Sequence, residues 1–382
     1  MEWETEARQY QSELTRHRQT LHRIPELGYQ ETKTKSYLLE ELKKCNPDQI
    51  EMVLETGIKC VFYGTQKDRD AIAFRADMDA LPIQEPEDCP YRSQHPGQMH
   101  ACGHDGHMAM LLTLARVLSD HRKSLSRNVV LLFQPAEETT GGADRMIRQG
   151  VLENPHVSEV YGMHMMPDVP LGKIAVVAGP IMASTCEIDL IFRGKASHGA
   201  YPHLGQDALA AAGYAITMLQ SIVARRINPI EPAVLTFGKM TAGTQRNILA
   251  DTARIEGIIR TYSNDVYDQI EACIKDILAG TERAFHVETE IEKHVYYPST
   301  CNDPENVEKV KRVLQDRYMQ AVPRMTAEDF SYFLLARPGA FLFCGCMDEH
   351  HHSPLHSPEF GFDEEALVYG LAVDIGLIME DN

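Results

Sequence analysis

The stretch Met99–His107 reads Met-His-Ala-Cys-Gly-His-Asp-Gly-His and sets a thiol beside a cluster of imidazoles. Cys102 and His104 stand either side of Gly103, whose missing side chain lets backbone and a metal ion approach closely. His107 follows His104 at the i, i+3 spacing of a helix, and Asp105 is a candidate acceptor for the far nitrogen of a ligating imidazole. Thiolate with imidazole is the ligand chemistry of Zn²⁺ and its neighbours. Two or three such groups do not make a site alone, and a polar loop rich in histidine has the same composition.

More candidates lie downstream. Glu137 and Glu138 follow the apolar run Val129–Phe133. In an extended segment their side chains diverge, so one acid can hold a metal while the other faces the water it activates. His164 ends a second apolar run, and His356 sits in Pro354-Leu355-His356-Ser357-Pro358, just after His350-His351-His352. Singly, these are a surface acid pair, a satisfied core histidine and loop histidines. Together, Cys102, His104, Glu138, His164 and His356 supply five ligands, enough for two metal ions that share a bridge. Two ions about 3.5–4 Å apart activate a water and polarise a carbonyl. A second carboxylate beside that water serves as general base and then protonates the leaving amine.

The elements that must position these groups read as follows. Trp3, Ala7, Tyr10, Leu14 and Leu21 keep the spacing of an amphipathic helix that stops at Ile24-Pro25. A second helix spans Glu31–Cys45, with Tyr37, Leu38 and Leu42 inward. Strand-like runs at 50–53, 60–63 and 71–74 lead to Asp77 and Asp79. A helix carrying Met108, Leu111, Leu112, Ala115 and Leu118 follows the His-rich stretch. Asn128–Phe133 then reads as a buried strand, and Val160–Met163 as a short one ending at His164. Asp77, Asp79, Glu137, Glu138 and His164 thus fall at the carboxyl ends of strands, where open α/β sheets bind ligands. From Cys186 the order changes to β-α-β-β-α-β, the ferredoxin-like unit, and α/β character returns after Tyr296. The expected organisation is an α/β catalytic domain over 1–180 and 296–382, interrupted by an inserted domain over 181–295.

The balance of 37 basic against 55 acidic residues gives a net charge of −18, which argues against a nucleic-acid or anionic-membrane partner. Nine scattered cysteines in no framework spacing, a charged start and no apolar run of membrane-spanning length point to reduced thiols in the cytoplasm.

Over nearly its whole length the chain resembles metallopeptidase family M20, in particular the subgroup of N-acyl-amino-acid deacylases, hippurate hydrolases and auxin-conjugate hydrolases. The likeness rests on Leu21–Glu26, Arg75–Pro82, Met99–His107, Gln134–Glu138 and Ala327–Ser331. It implies a two-metal α/β catalytic domain with the inserted unit as lid and dimerisation domain. It also implies Cys102, His104, Glu138, His164 and His356 as metal ligands and Glu137 as base, with Zn²⁺ or Mn²⁺, or else Co²⁺ or Ni²⁺, as the ions. Ser197–His203 matches the family's lid motif, in which His198 would donate to the developing oxyanion in the partner subunit's site. Asn247 and Arg260 match its carboxylate-binding residues. The implied activity is hydrolysis of a small N-acyl amino acid by a cytoplasmic homodimer, N-acetyl-diaminopimelate being one candidate. A dipeptidase and a catalytically silent metal- or ligand-binding protein are the alternatives. Three positions depart from the wider family: Cys102 stands where a bridging Asp is usual, Arg75-Ala76-Asp77 replaces His-x-Asp, and Ile258 replaces a common Thr.

Overall fold

A computed structural model describes residues 2–380. The chain divides into two compact units, one running to Ile181 and including Cys301–Val322 and the chain from Asp329 on, the other made of Met182–Thr300 and Pro323–Glu328. Fourteen strands form among the described residues. The first seven are β1 (Gln49–Val53), β2 (Gly57–Phe62), β3 (Ala71–Asp77), β4 (Val129–Gln134), β5 (Val157–Pro170), β6 (Ile174–Val176) and β7 (Gly179–Met182). The rest are β8 (Thr185–Arg193), β9 (Ala233–Ala242), β10 (Thr252–Thr261), β11 (Glu288–Tyr297), β12 (Thr300–Asn302), β13 (Tyr318–Gln320) and β14 (Gly339–Met347).

The first unit is built on an eight-stranded sheet in the order β1-β2-β4-β3-β5-β14-β6-β13. Its centre, β4-β3-β5-β14, is parallel, while β2 runs antiparallel to β4 and β6 antiparallel to β14. Every residue of β3 and β4 is buried. Near-continuous apolar runs such as Val-Val-Leu-Leu-Phe suit parallel strands covered on both faces. Helix His104–Asp120 packs against helices Gln11–His22 and Glu365–Met379 and buries Met108, Leu111, Leu112, Ala115 and Leu118. Each large aliphatic side chain buried in this way contributes about 1.5–3 kcal/mol. That packing anchors the first turn of the helix, where His104, Asp105 and His107 sit.

Two elements differ from the sequence reading. The opening helix is two helices, Glu4–Arg8 and Gln11–His22. β5 does not end at His164 but continues to Pro170, because β14 pairs with it through Met165 and Met166. Pro167 is accommodated at the irregularity that follows that register.

The second unit is an antiparallel sheet in the order β11-β8-β10-β9 with two helical segments in the ferredoxin-like connectivity. Asp207 and Ser263 cap the helices that follow them by accepting from the amides of Ala210 and Val266. The alanine face Ala208, Ala211, Ala212 and Ala215 lets helix Ala208–Leu219 approach the sheet and helix Asn264–Phe285 closely, with Val266, Ile270, Ile274 and Leu278 in the same core. Ala208–Arg226 is the one stretch among the described residues long and apolar enough to cross a membrane by composition, contrary to the expectation of none. Its helix breaks at Gln220, and its inner face is part of this core.

Candidate metal centre

His104 opens its helix directly after Gly103, whose φ of +89° places it in the left-handed region. A Cβ on Gly103 would lie 3.1 Å from the Met165 side chain, so glycine is required for both conformation and space. Cys102 is thereby brought against β5. Its Sγ lies 3.3 Å from His164 Nε2 and 3.4 Å from His356 Nε2. His356 Nε2 lies 3.2 Å from Glu138 Oε1, and His104 Nε2 lies 3.8 Å from the same oxygen. Two sets share the thiol: Cys102, His104 and His164, and Cys102, Glu138 and His356, the ligand atoms of each lying within 4.8 Å of one another. A third set joins His104 to Glu137 and Glu138. The structure therefore gathers all five predicted ligand residues and Glu137 in the first unit.

The imidazoles are oriented from behind. His104 Nδ1–H donates to the Asp79 carbonyl at 2.8 Å, and His164 Nδ1–H donates to the Met165 carbonyl at 2.8 Å. Both rings consequently turn Nε2 toward the thiol and Glu138, the arrangement that fixes tautomer and direction in metal-binding histidines. The Asp79 carboxylate accepts the amides of Glu137 and Glu138, each at 2.9 Å, so one buried acid positions the backbone of both. Ala136, just before them, holds a φ of +62°, a conformation costing an L-residue about 1–2 kcal/mol. Its amide is tied to Glu31 Oε1 at 3.0 Å and its carbonyl accepts from the Gly141 amide at 3.0 Å. Burial pushes Glu31 up to about 7, despite its hydrogen bonds from Thr56 and Ala136.

His107 and Asp105 depart from the sequence expectation. His107 Nδ1–H donates to Asp77 at 2.6 Å and its Nε2 accepts the Met165 amide at 2.8 Å, so the ring is fully engaged in holding β3 to β5. Asp105 does not serve it; Asp105 Oδ2 accepts instead from Arg18 and His22. The supporting acid is Asp77, itself paired at 2.7 Å with Arg75. Arg75 also reaches Gln134 and Asp329, each at 2.8 Å, and Asp329 accepts the Gly142 and Ala143 amides. Sequence reasoning did not find the Arg75, Asp79, Glu31 and Asp329 roles. The signal available was an Asp-x-Asp at a strand end.

The electrostatics fit a cation. Burial, then Glu138 and Glu137, holds the Cys102 thiol well above its usual range, so a thiolate there needs added positive charge. Burial drives His164 down to about 3 and leaves it a neutral donor. Burial opposes the charged forms of Glu138 and His104, yet Glu138 is held low by His356 and His104, and His104 is raised to about 10 by Asp77, Asp79 and Glu138. His104 Nε2 is a buried atom with no hydrogen-bond partner, and buried Glu138 Oε1 meets only the His356 ring, at 3.2 Å. Native proteins rarely leave such atoms orphaned, and a bound ion is a standard reason.

The remaining predicted residues lie in the second unit. The Gly199 amide donates to Asn247 O at 2.8 Å and the Leu249 amide to Ser197 O at 2.9 Å, so two loops pair and bring exposed His198 and Asn247 together. Arg260, on β10, is half-buried and donates to Thr185 Oγ1 and its neighbour's carbonyl. No carboxylate lies within ion-pair distance of it among the described residues, and burial lowers its pKa.

Residues 73–380 match peptidase family M20/M25/M40. The N-acetyldiaminopimelate deacetylase of Halalkalibacterium halodurans is 38% identical over 366 residues, which cover 94% of this chain and 97% of that protein. The deacetylase of Bacillus subtilis is 38% identical over 356 residues, or 91% and 94% of the two chains. The crystal structure of the YXEP protein of Bacillus subtilis, described as a dinuclear metal binding peptidase from the M20 family, superposes with a TM-score of 0.84 at 32% identity, covering 98% and 99%. The chain belongs to peptidase family M20.

Proposed function

We propose that this protein hydrolyses the amide bond of an N-acylated amino acid at a two-metal centre, releasing a carboxylic acid and a free amino acid. It is an amide-cleaving hydrolase of the M20 family, and the N-acetyldiaminopimelate of its named relatives is the first substrate to test. The observation that carries the reading is the shared thiol: Cys102 belongs to both ligand sets, one completed by His104 and His164 and the other by Glu138 and His356. Two divalent cations held there, Zn²⁺, Mn²⁺, Co²⁺ or Ni²⁺, would polarise the acyl carbonyl and lower the pKa of a water.

The chain's own groups do the rest. Glu137, whose amide is pinned by Asp79, takes the proton of the attacking water and delivers it to the leaving nitrogen. His198 donates to the oxyanion developing in the site of the partner subunit. Arg260 pairs with the substrate carboxylate, supported by its having no carboxylate within ion-pair distance among the described residues, and Asn247 adds a neutral donor. Homodimerisation through the inserted unit is supported by Leu209 and Tyr214, 49% and 64% exposed on helix Ala208–Leu219.

The test is to load the protein with each metal and assay N-acetyl, N-benzoyl and dipeptide substrates. Inactivity on every N-acyl amino acid would sink the proposal. Light scattering of wild type and Tyr214→Asp tests the dimer: a monomer mass for wild type would remove it, and a dimer mass kept by the variant would move the interface away from Tyr214.

A further inference from the structure

A second group of metal-type side chains lies outside this centre and shares no residue with it. His22, at the end of helix Gln11–His22, is 3% exposed, and Glu85 is 4% exposed. His22 Nδ1 lies 2.9 Å from Asp105 Oδ2 and its Nε2 lies 2.9 Å from Glu85 Oε1. Glu85 is itself oriented by the Ser93 amide, which donates to Oε2 at 2.6 Å. Ligand atoms of His22, Glu85 and Cys89 lie within 4.8 Å of one another. All three line a cavity of about 490 Å³.

We propose that His22 Nε2, Glu85 Oε1 and Cys89 Sγ form a further metal site, for one thiophilic divalent cation of the Zn²⁺ type. Four observations support it. The ligand types are those Zn²⁺ accepts. Asp105 backs His22 through Nδ1, the carboxylate–histidine pattern that presents Nε2 to a metal. The cavity gives an ion access and room for a water. His351, on another loop lining the same cavity, has its own Nδ1 held at 2.8 Å by Asp348, so its Nε2 is the nitrogen left to bind.

The alternative is a closed ionic cluster that binds nothing, and charge counting shows how the two states interconvert. The groups facing His22 are Arg18, Glu85, Cys89, Tyr91, His100 and Asp105, with Glu364 paired to Arg18 and Asp88, His351 and Glu359 lining the same cavity. Burial works against a charged His22, but hydrogen bonds to Asp105 and Glu85 raise it to about 9. Burial pushes the Cys89 thiol to about 11. The metal-free cluster therefore holds Arg18⁺ and His22⁺ against the carboxylates of Asp105, Glu85 and Glu364, the last paired with Arg18 at 3.0 Å, with Cys89 neutral. Binding M²⁺ displaces one proton from His22 and one from Cys89, so two positive charges leave as two arrive. Net charge in the buried cluster is unchanged, and each ion bound releases two protons.

The experiment uses the full protein with its catalytic metals already loaded, and Zn²⁺ alone as probe. Iodoacetamide labelling of Cys89 is followed by peptide mass spectrometry. Bound zinc is counted at equilibrium in wild type and Cys89→Ala. At ten times Kd, Zn²⁺ should slow Cys89 labelling by about tenfold. Wild type should hold one more equivalent than Cys89→Ala. Glu85→Gln should abolish the protection, and His22→Gln should do the same if it folds. Labelling of Cys89 that Zn²⁺ does not slow, or equal zinc in wild type and Cys89→Ala, would overturn the site. Because the readout is a difference at Cys89, it stands or falls independently of the catalytic centre.

Discussion

The first turn of helix His104–Asp120 supplies two buried clusters with neighbouring side chains: His104 enters the metal centre and Asp105 enters the cluster of Arg18, His22 and Glu85. Both are made of imidazoles and acids, and in both a histidine Nδ1 is held from behind. They differ in what meets Nε2. Around His22 each ring nitrogen meets a carboxylate, so the cluster is closed by its own protons. At the metal centre His104 Nε2 has no hydrogen-bond partner, and a thiol sits among imidazoles. Composition does not separate a site left open for an ion from one that its own protons hold closed until an ion displaces them; the balance of donors and acceptors does.

The largest expected effect tests the open cluster. Glu137→Ala should keep its metals and lose general acid–base catalysis, about 10²–10⁴-fold in kcat. Glu138→Ala should lose metal instead. Elemental analysis with kinetics separates the two, and equal metal loss in both variants would show the roles are misassigned.

Next comes Arg260, with no carboxylate within ion-pair distance among the described residues, by contrast with Arg18 paired to Asp105. Losing one member of a buried charge pair costs roughly 2–5 kcal/mol, which is about 30- to 5000-fold in kcat/KM if fully expressed in the transition state. Arg260→Ala should show that loss on N-acyl amino acids and much less on the corresponding amides. Equal slowing of acid and amide would assign Arg260 to structure.

The closed cluster should reveal itself through pH. His22 titrates near 9 in the fold against 6.5 ordinarily, so its stabilisation is complete below about pH 6.5 and lost as pH rises through about 9. The difference is on the order of 3 kcal/mol. Urea unfolding of the metal-free protein at pH 6 and pH 9.5 should show wild type losing that amount and His22→Gln changing far less. Parallel curves would mean that His22 is neutral in the fold.

The smallest effect is a baseline for ion pairs without burial. Arg193 and Glu290 form an exposed pair at 3.0 Å on the second unit. Arg193→Ala should change stability by less than about 1 kcal/mol and vanish into error at high salt. A larger, salt-insensitive loss would undercut the distinction between the buried clusters and the surface.

Legibility in the sequence followed how local the signal was. Cys102-Gly103-His104 and Glu137-Glu138 are neighbours along the chain, and each stood out as chemistry before any fold was known. The assignment of Asp105 to His107 failed for a related reason: adjacency in sequence suggested a pair, but on a helix neighbouring residues point in different directions. Asp77, thirty residues earlier, takes that place. Arg75 pairs with Asp329 across 254 residues, and no local pattern marks that contact.

The sequence by itself determined the residue types able to hold metal, the alternation of strands and helices, and the β-α-β-β-α-β order of the inserted unit. Apolar periodicity is local and survives in one dimension. Only the tertiary structure decided which acid serves which base. Once a side chain leaves water every donor and acceptor must find a partner within about 3 Å, and those partners come from strands and loops that the chain brings together only on folding. The same requirement left His104 Nε2 unmatched beside Cys102, while it closed the ring of His22 between Asp105 and Glu85.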